Sequence, residues 1–175
     1  MISAVVAVDE NWAIGKNDAE GKPQLLFNIP ADLKHFKNLT KDKIVVMGYT
    51  TYLSLPKKPL PNRVNLVLWS EAKTSADLPG CITFNDFNNL LNFVQILSKE
   101  YDVVIMGGAS VYKLFLPYYD VVHVTKVKSS DENACAFFPD LDNNGNFELE
   151  YAQSFWRNES TNGYAIAYNT YKKVK

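Results

Sequence analysis

The feature that most narrows the fold is an alternation of two periodicities. Short β-branched runs recur at Val5 to Val8, Ile44 to Met47, Val64 to Leu68 and Val103 to Met106, each apolar on both faces. A strand with no polar face has to be covered on two sides, which places it centrally in a sheet. Segments of helical period lie between the runs. Phe87, Leu90, Leu91, Val94 and Leu97 follow i, i+3, i+4, i+7 and i+10 behind Asn85-Asp86 as a cap, and Val111, Tyr112 and Phe115 repeat the pattern until Pro117 stops it. Strands alternating with helices imply a mainly parallel sheet, because parallel neighbours need crossover connections. After Asp120 the pattern changes: Val122, Val124 and Val127 punctuate polar residues, and extended pieces from Phe147 to Phe155 and Tyr164 to Tyr171 flank Asn162-Gly163. Asn-Gly is the strongest short hairpin signal, so the C-terminal third is expected to add antiparallel strands at the sheet edge.

The 175 residues correspond to one domain, 1-175, without linker, internal repeat or low-complexity tract. Apolar residues make up 47% of the chain, enough to bury a core without disulfides or metal. Eighteen Lys and Arg against nineteen Asp and Glu leave a charge of -1, so no cationic field favours nucleic acid or acidic lipid as partners. The stretch Met1 to Val8 has no basic leader and is too short to span a bilayer; it reads as a buried strand. Cys81 and Cys135 stand 54 positions apart with only His35 and His123 to help, so neither a disulfide framework nor a zinc site is expected. Two glycosylation sequons, at Asn38 and Asn158, matter only on export. The expected compartment is the cytoplasm and the expected state a monomer.

Four places could carry chemistry. Pro30 suits the first turn of a helix, and Asp32 then lies beside an apolar stripe of Ile29, Phe36 and Leu39. Such a carboxylate either reaches solvent and complements the helix dipole, or is partly buried and must be hydrogen-bonded. Gly107-Gly108 follow a buried strand and precede a helix opening at Ala109-Ser110, which is either a tight turn or a close approach of backbone to an anion such as a pyrophosphate. Met47-Gly48-Tyr49-Thr50-Thr51 repeats that arrangement, with ordinary hydroxyl capping as the alternative. Arg63, after the turn Pro59-Leu60-Pro61-Asn62, is either a surface arginine or a guanidinium fixed for a bidentate carboxylate. The two histidines are 88 positions apart and no GxSxG elbow occurs, which disfavours covalent hydrolysis.

Taken in order, these pieces resemble the dihydrofolate reductase family over nearly the whole chain. The segments that carry the resemblance are Met1-Ile2-Ser3, Ala13-Ile14-Gly15, Ile29 to Leu33, Phe36-Lys37, Val46-Met47-Gly48, Pro59-Leu60-Pro61, Arg63, Gly107-Gly108, Val111-Tyr112 and Thr125. The resemblance implies an α/β fold: one domain with a twisted, mostly parallel eight-stranded sheet, an antiparallel C-terminal edge and flanking helices. It also implies hydride transfer from NADPH to dihydrofolate, with antifolate inhibitors such as trimethoprim as further ligands.

Carried over residue by residue, the resemblance gives Asp32 as the group that orients the pterin and assists N5 protonation through water, with Thr125 hydrogen-bonded to it. Val5, Val6, Leu33, Phe36, Leu55, Leu60, Met106 and Tyr112 match substrate walls, and Arg63 matches the partner of the glutamate-tail carboxylate. Ala7, Ile14 and Gly15 match nicotinamide contacts. Gly48, Tyr49, Thr50, Thr51, Leu68, Trp69, Ser70, Gly107, Gly108, Ala109, Ser110, Val111 and Tyr112 match the remaining cofactor contacts, with a cis peptide expected at Gly107-Gly108.

Three positions depart from the family pattern. Leu25-Leu26-Phe27 replaces the common Leu-Pro-Trp, and the longer stretch from Asn17 to Gln24 is expected to be a mobile loop that closes over the nicotinamide. Tyr49 stands where relatives carry an arginine for the 2′-phosphate, which opens NADH as an alternative cofactor unless Ser70, Thr50 or Lys73 compensates. Trp69 occupies a commonly small or polar position on the adenine side. Two competing readings are a pyrimidine reductase of riboflavin synthesis and a folate- or nucleotide-binding protein without turnover; Asp32 together with Arg63 argues against the first.

Overall fold

In the computed structural model, which describes residues 1–175, the β-branched runs become strands joined by helices. In chain order the elements are β1 (Ile2–Val8), β2 (Ala13–Asn17), β3 (Pro23–Leu25), α1 (Pro30–Thr40), β4 (Ile44–Gly48), α2 (Tyr49–Ser54), β5 (Val64–Leu68) and β6 (Cys81–Phe84). They continue with α3 (Phe87–Leu97), β7 (Val103–Ile105), α4 (Ala109–Phe115), β8 (Val121–Val127), β9 (Ala134–Phe137), β10 (Phe147–Ala152) and β11 (Ile166–Lys173). Eight strands form one sheet in the order β10-β11-β8-β1-β7-β4-β5-β6. From β1 through β7, β4 and β5 to β6 every pairing is parallel, whereas β8, β11 and β10 pair antiparallel, as the change of pattern after Asp120 predicts. No helix is long and apolar enough to cross a membrane.

The chain divides into two compact units. The first comprises Met1–Ala4 with Thr40–Tyr119 and the second Val5–Leu39 with Asp120–Lys175. In the first, Val45, Val46, Met47, Leu66, Val67, Val103 and Ile105 are buried, which is what strands without a polar face require. Helix α3 starts where the sequence places its cap: the Asp86 carboxylate accepts the Asn89 N–H, and Leu90, Leu91 and Val94 form the buried stripe. In the second unit Ile29, Val127 and Ile166 make a small core, with Phe27, Ala31, Trp156, Tyr164 and Tyr168 packed on it.

Two features differ from the sequence reading. The stretch from Asn17 to Gln24, read from the sequence as loop, is the turn of a hairpin: β2 pairs with β3 on one side and β9 on the other, forming a separate three-stranded antiparallel sheet. Its turn is made by Asp18, whose carboxylate accepts the N–H groups of Glu20 and Lys22, each at 2.9 Å. Asn162-Gly163 lies between β10 and β11 but is not a two-residue hairpin turn. Asn158 and Thr161 cap each other around a 3₁₀ turn at Glu159–Thr161, and the left-handed Asn162 and Gly163 close that turn instead.

Candidate functional site

The Asp32 corner lies within the second unit. Pro30 opens α1 and places Asp32 in the first turn. The Thr125 hydroxyl, at the middle of β8 and 2% exposed, donates to Asp32 Oδ1 at 2.6 Å. Tyr168 stands opposite Thr125 in the β8–β11 register, and its O–H donates to the Ala31 carbonyl at 3.3 Å. The His35 ring stacks on Tyr168 with centroids 3.8 Å apart and planes within 15°. Asp32 is half-buried, and burial pushes its carboxyl above the ordinary 3.8, opposed first by the Thr125 hydrogen bond and then by the charge of His35. Of the two readings open to this residue, the partly buried and hydrogen-bonded one is what the structure shows. An acceptor-only group in a low-dielectric corner is suited to a ligand that presents two parallel N–H donors.

The glycine turns belong to the first unit. Strands β4 and β7 are parallel neighbours, so their C-terminal ends lie side by side, and each feeds a short helix. The Gly107-Gly108 peptide is cis, as the resemblance predicts. The Gly48 N–H donates to the Gly107 carbonyl at 2.8 Å, tying the two turns together. A Cβ on Gly48 would sit 3.2 Å from Val111 Cγ2, one on Gly107 3.3 Å from the Tyr112 ring, and one on Gly108 3.4 Å from Thr51 Oγ1. Neither α2 nor α4 has a side-chain cap: Gly48 and Gly108 occupy the cap positions, so the Thr50 and Thr51 hydroxyls do not cap as the alternative reading required. Two helix starts without caps, on backbone free of side chains, suit a phosphate-bearing ligand.

A sequence model of the family described as dihydrofolate reductase matches residues 1–173. The chain belongs to the dihydrofolate reductase family. The dihydrofolate reductase of Bacillus subtilis strain 168 is 31% identical over 173 residues, covering 99% of this chain and 95% of that one. That of Ureaplasma parvum serovar 3 is 33% identical over 165 residues, covering 94% of each. The Enterococcus faecalis dihydrofolate reductase solved with NADP(H) and RAB-propyl superposes with a TM-score of 0.83 at 29% identity, covering 100% of this chain and 97% of that one. The family is one of oxidoreductases.

The remaining candidates fall as follows. Val5, Val6 and Ile14 are buried, Ala7 and Phe36 half-buried, and Leu33 is exposed at the surface of α1. Gly15 is buried, with its Cα opposite Leu25 and Ala136. In the first unit Leu55, Leu60 and Met106 are half-buried, whereas Val111 and Tyr112 are buried under the glycine turns. Ala109 and Leu68 are half-buried; Thr50, Ser70 and Ser110 are exposed. Arg63 is fixed rather than free: its Nε donates to the Pro61 carbonyl at 3.0 Å and one terminal nitrogen to Thr40 Oγ1 at 2.9 Å.

The two separate departures, Tyr49 and Trp69, are one feature. Gly48 pairs with Leu68 in the parallel register, so the next residues stand side by side, and their rings stack at 4.3 Å and 14°. Phe27 packs edge-on against Tyr164 at 5.6 Å, as part of the small core of its unit. Sequence reading missed Thr40, which holds Arg63, and the pair His35 and Tyr168. The i+3 spacing of His35 from Asp32 was the one available signal.

Proposed function

We propose that this protein is an NADPH-dependent reductase of 7,8-dihydrofolate, acting in the cytoplasm as a monomer and inhibited by antifolates that compete for Asp32. The observation that carries the reading is the half-buried Asp32 carboxylate, held at Oδ1 by Thr125. Each carboxylate oxygen has two lone pairs, so the Thr125 bond leaves Asp32 free to accept both the N3–H and the 2-amino group of a pterin. That bidentate grip fixes the ring's orientation. No second acid accompanies Asp32, so the proton for N5 comes from water, and the ionised Asp32 favours the cation that forms. By the family resemblance, Val5, Val6, Leu33 and Phe36 of one unit, and Leu55, Leu60 and Met106 of the other, would supply the apolar contacts that keep water from the ring. Arg63, with two donors committed to Pro61 and Thr40, turns its remaining donors to the tail carboxylate.

The glycine turns fit a dinucleotide, since glycines at the ends of β4 and β7 leave main chain for such a ligand to approach, and the contacts a Cβ at Gly48 or Gly107 would make with Val111 or Tyr112 keep these turns without side chains. Gly48, Thr50, Thr51, Leu68, Ser70 and the segment Gly107 to Tyr112 would hold its phosphates and adenosine, and Ala7, Ile14 and Gly15 its nicotinamide. When bound, the reduced nicotinamide supplies the hydride. Tyr49 and Trp69 offer aromatic surface and no cation, so discrimination between NADPH and NADH is expected to be weaker than a guanidinium there would give.

The test is dihydrofolate-dependent loss of reduced-nicotinamide absorbance with NADPH, repeated with NADH. Turnover of dihydrofolate supports the reading. Activity confined to a ribitylamino-pyrimidine, or tight binding of dihydrofolate without turnover, would overturn it.

A further inference from the structure

We propose that His35 is a positioning residue that acts on Asp32 through charge, seated for this by its stack on Tyr168. The functional consequence rests on the reading of Asp32 as the pterin-binding group; the coupling itself does not. His35 is three residues from Asp32 on α1, which brings the two side chains to one side of the helix. A half-exposed histidine on a helix would ordinarily sample several rotamers. Here its ring lies 3.8 Å from that of Tyr168, nearly parallel.

Tyr168 is itself held at three points. Its O–H donates to the Ala31 carbonyl, its N–H donates to Gln153 Oε1 at 3.1 Å, and the Trp156 ring meets it edge-on at 6.1 Å. Gln153 Oε1 also accepts the Trp156 indole N–H at 3.2 Å, so the platform is braced from behind. The placements link the four residues: Thr125 is bonded to Asp32 and stands opposite Tyr168 in the strand register, Tyr168 carries the His35 ring, and His35 follows Asp32 by three residues on one helix.

An aromatic face favours a cation stacked on it, and an imidazolium at this place favours the carboxylate form of Asp32. The titratable groups that face His35 are Asp32 on its own helix and the Tyr168 phenol on β11; β8 brings Thr125, which is uncharged. Burial pushes the imidazole below its usual value and Asp32 opposes that, while His35 opposes the effect of burial on Asp32. Each charge therefore sustains the other. The consequence is that Asp32 stays ionised, and able to accept two N–H groups, to lower pH than its burial alone would allow.

The experiment is an NMR titration of the full chain without ligand, following the Asp32 carboxyl carbon and the His35 ring. His35→Phe keeps a ring on Tyr168 and removes the charge, so the Asp32 midpoint is expected to move up. His35→Arg keeps a cation on the ring at every pH of the titration, so the midpoint is expected below the wild-type value. Coupling is reciprocal, so Asp32→Asn should lower the His35 midpoint by the amount that His35→Phe raises that of Asp32. Should His35→Phe not fold, His35→Gln removes the same charge. A purely structural His35 would give shifts of the same sign in the Phe and Arg variants, or none, and either result overturns the proposal, as does a His35 midpoint indifferent to Asp32→Asn. Reciprocal shifts together with dihydrofolate binding unaffected by Asp32→Asn would uphold the coupling and overturn only the assignment of Asp32 to the pterin.

Discussion

At Gly48, Gly107 and Gly108 the surface proposed for the cofactor is main chain, and these positions share the lack of a side chain: a Cβ there would meet Val111, Tyr112 or Thr51 within 3.2 to 3.4 Å. At Asp32 it is a single carboxylate, and what qualifies it is a hydroxyl 93 residues away in sequence. The first kind of site is built from neighbouring strand ends, with little room for a side chain at Gly48 and Gly107. The second is built from long-range contacts and depends on groups that a substitution can remove. Substitutions at the two places should therefore fail in different currencies, fold and cofactor affinity in one and substrate chemistry in the other.

The largest effect is expected from Asp32→Asn. The amide keeps the shape but replaces one acceptor with a donor, and kcat/KM for dihydrofolate should fall by about 10²–10⁴, the usual worth of a positioned acid–base group. Stability should move the other way. The folded carboxyl titrates above 3.8, so its stabilising contribution is present below 3.8 and lost as pH rises through the folded value. An amide is neutral at every pH, so the variant should melt no lower than the wild type at neutral pH. A lower Tm with retained kcat/KM would remove the contrast between the two sites.

Gly107→Ala tests the other side. Gly107 sits at φ +122°, a region that residues with a Cβ rarely enter, and the added carbon would lie 3.3 Å from the Tyr112 ring. Such backbone positions cost roughly 1–3 kcal/mol when a side chain is forced into them. The expected outcome is a lower Tm and a raised KM for the nicotinamide cofactor, with dihydrofolate affinity much less changed. Equal losses for both ligands would mean that the two sites are not built on different terms.

Legibility in the sequence follows the same division. Glycines after β-branched runs announce a strand-to-helix turn locally, so the Gly48 and Gly107 turns and the parallel part of the sheet could be read from spacing. Asp32 could not: its offsets from Ile29, Phe36 and Leu39 fit a solvated carboxylate equally well, and only the overall resemblance favoured the buried reading. Thr125 supplies the decisive bond, yet a threonine in an alternating strand looks like any other polar residue. The β2–β3–β9 sheet was hidden for a related reason, since its strands are short, partly exposed and ordered by the Asp18 turn rather than by an apolar period. The Tyr49–Trp69 stack lay between these cases, because the parallel register that joins the two residues is set by strands that the sequence shows plainly.

That stack gives a prediction confined to the cofactor. Tyr49→Arg removes one ring from the pair and restores a fixed cation near the start of α2. Charge-assisted hydrogen bonds contribute about 1.5–3 kcal/mol, so the ratio of kcat/KM for NADPH over NADH should rise by roughly one to two powers of ten. Dihydrofolate kinetics at saturating cofactor should stay as they are. A ratio that does not move would place the 2′-phosphate elsewhere, with Ser70, Thr50 or Lys73 the next positions to vary.

The smallest expected effect is that of Thr125→Val, and it separates the role of Thr125 from that of the acid it holds. Valine is close to threonine in shape, so the buried strand position is filled, but Asp32 Oδ1 loses the donor at 2.6 Å. Leaving a buried acceptor short of one bond costs about 1–3 kcal/mol, and the net contribution of a single hydrogen bond is about 0.5–1.5 kcal/mol, so folate affinity on the plateau should weaken a few-fold, to about tenfold. The pH dependence is the sharper measure. The Thr125 bond lowers the Asp32 carboxyl against the effect of burial, so without it the folded value rises further above 3.8. The window in which the folded state binds a proton more readily than the unfolded chain then extends upward. Stability should begin to fall at the same pH but go on falling to a higher pH before it levels, and folate binding, which on the proposed reading needs the ionised acid, should begin to fail at a higher pH on the acid side. Fluorescence titration of folate across the acid range measures the second, and thermal melts at matched pH the first. If both curves keep their wild-type midpoints, Thr125 only fills space beside Asp32, and the contrast drawn between a site made by contacts and a site made by their absence has to rest on Asp32 alone.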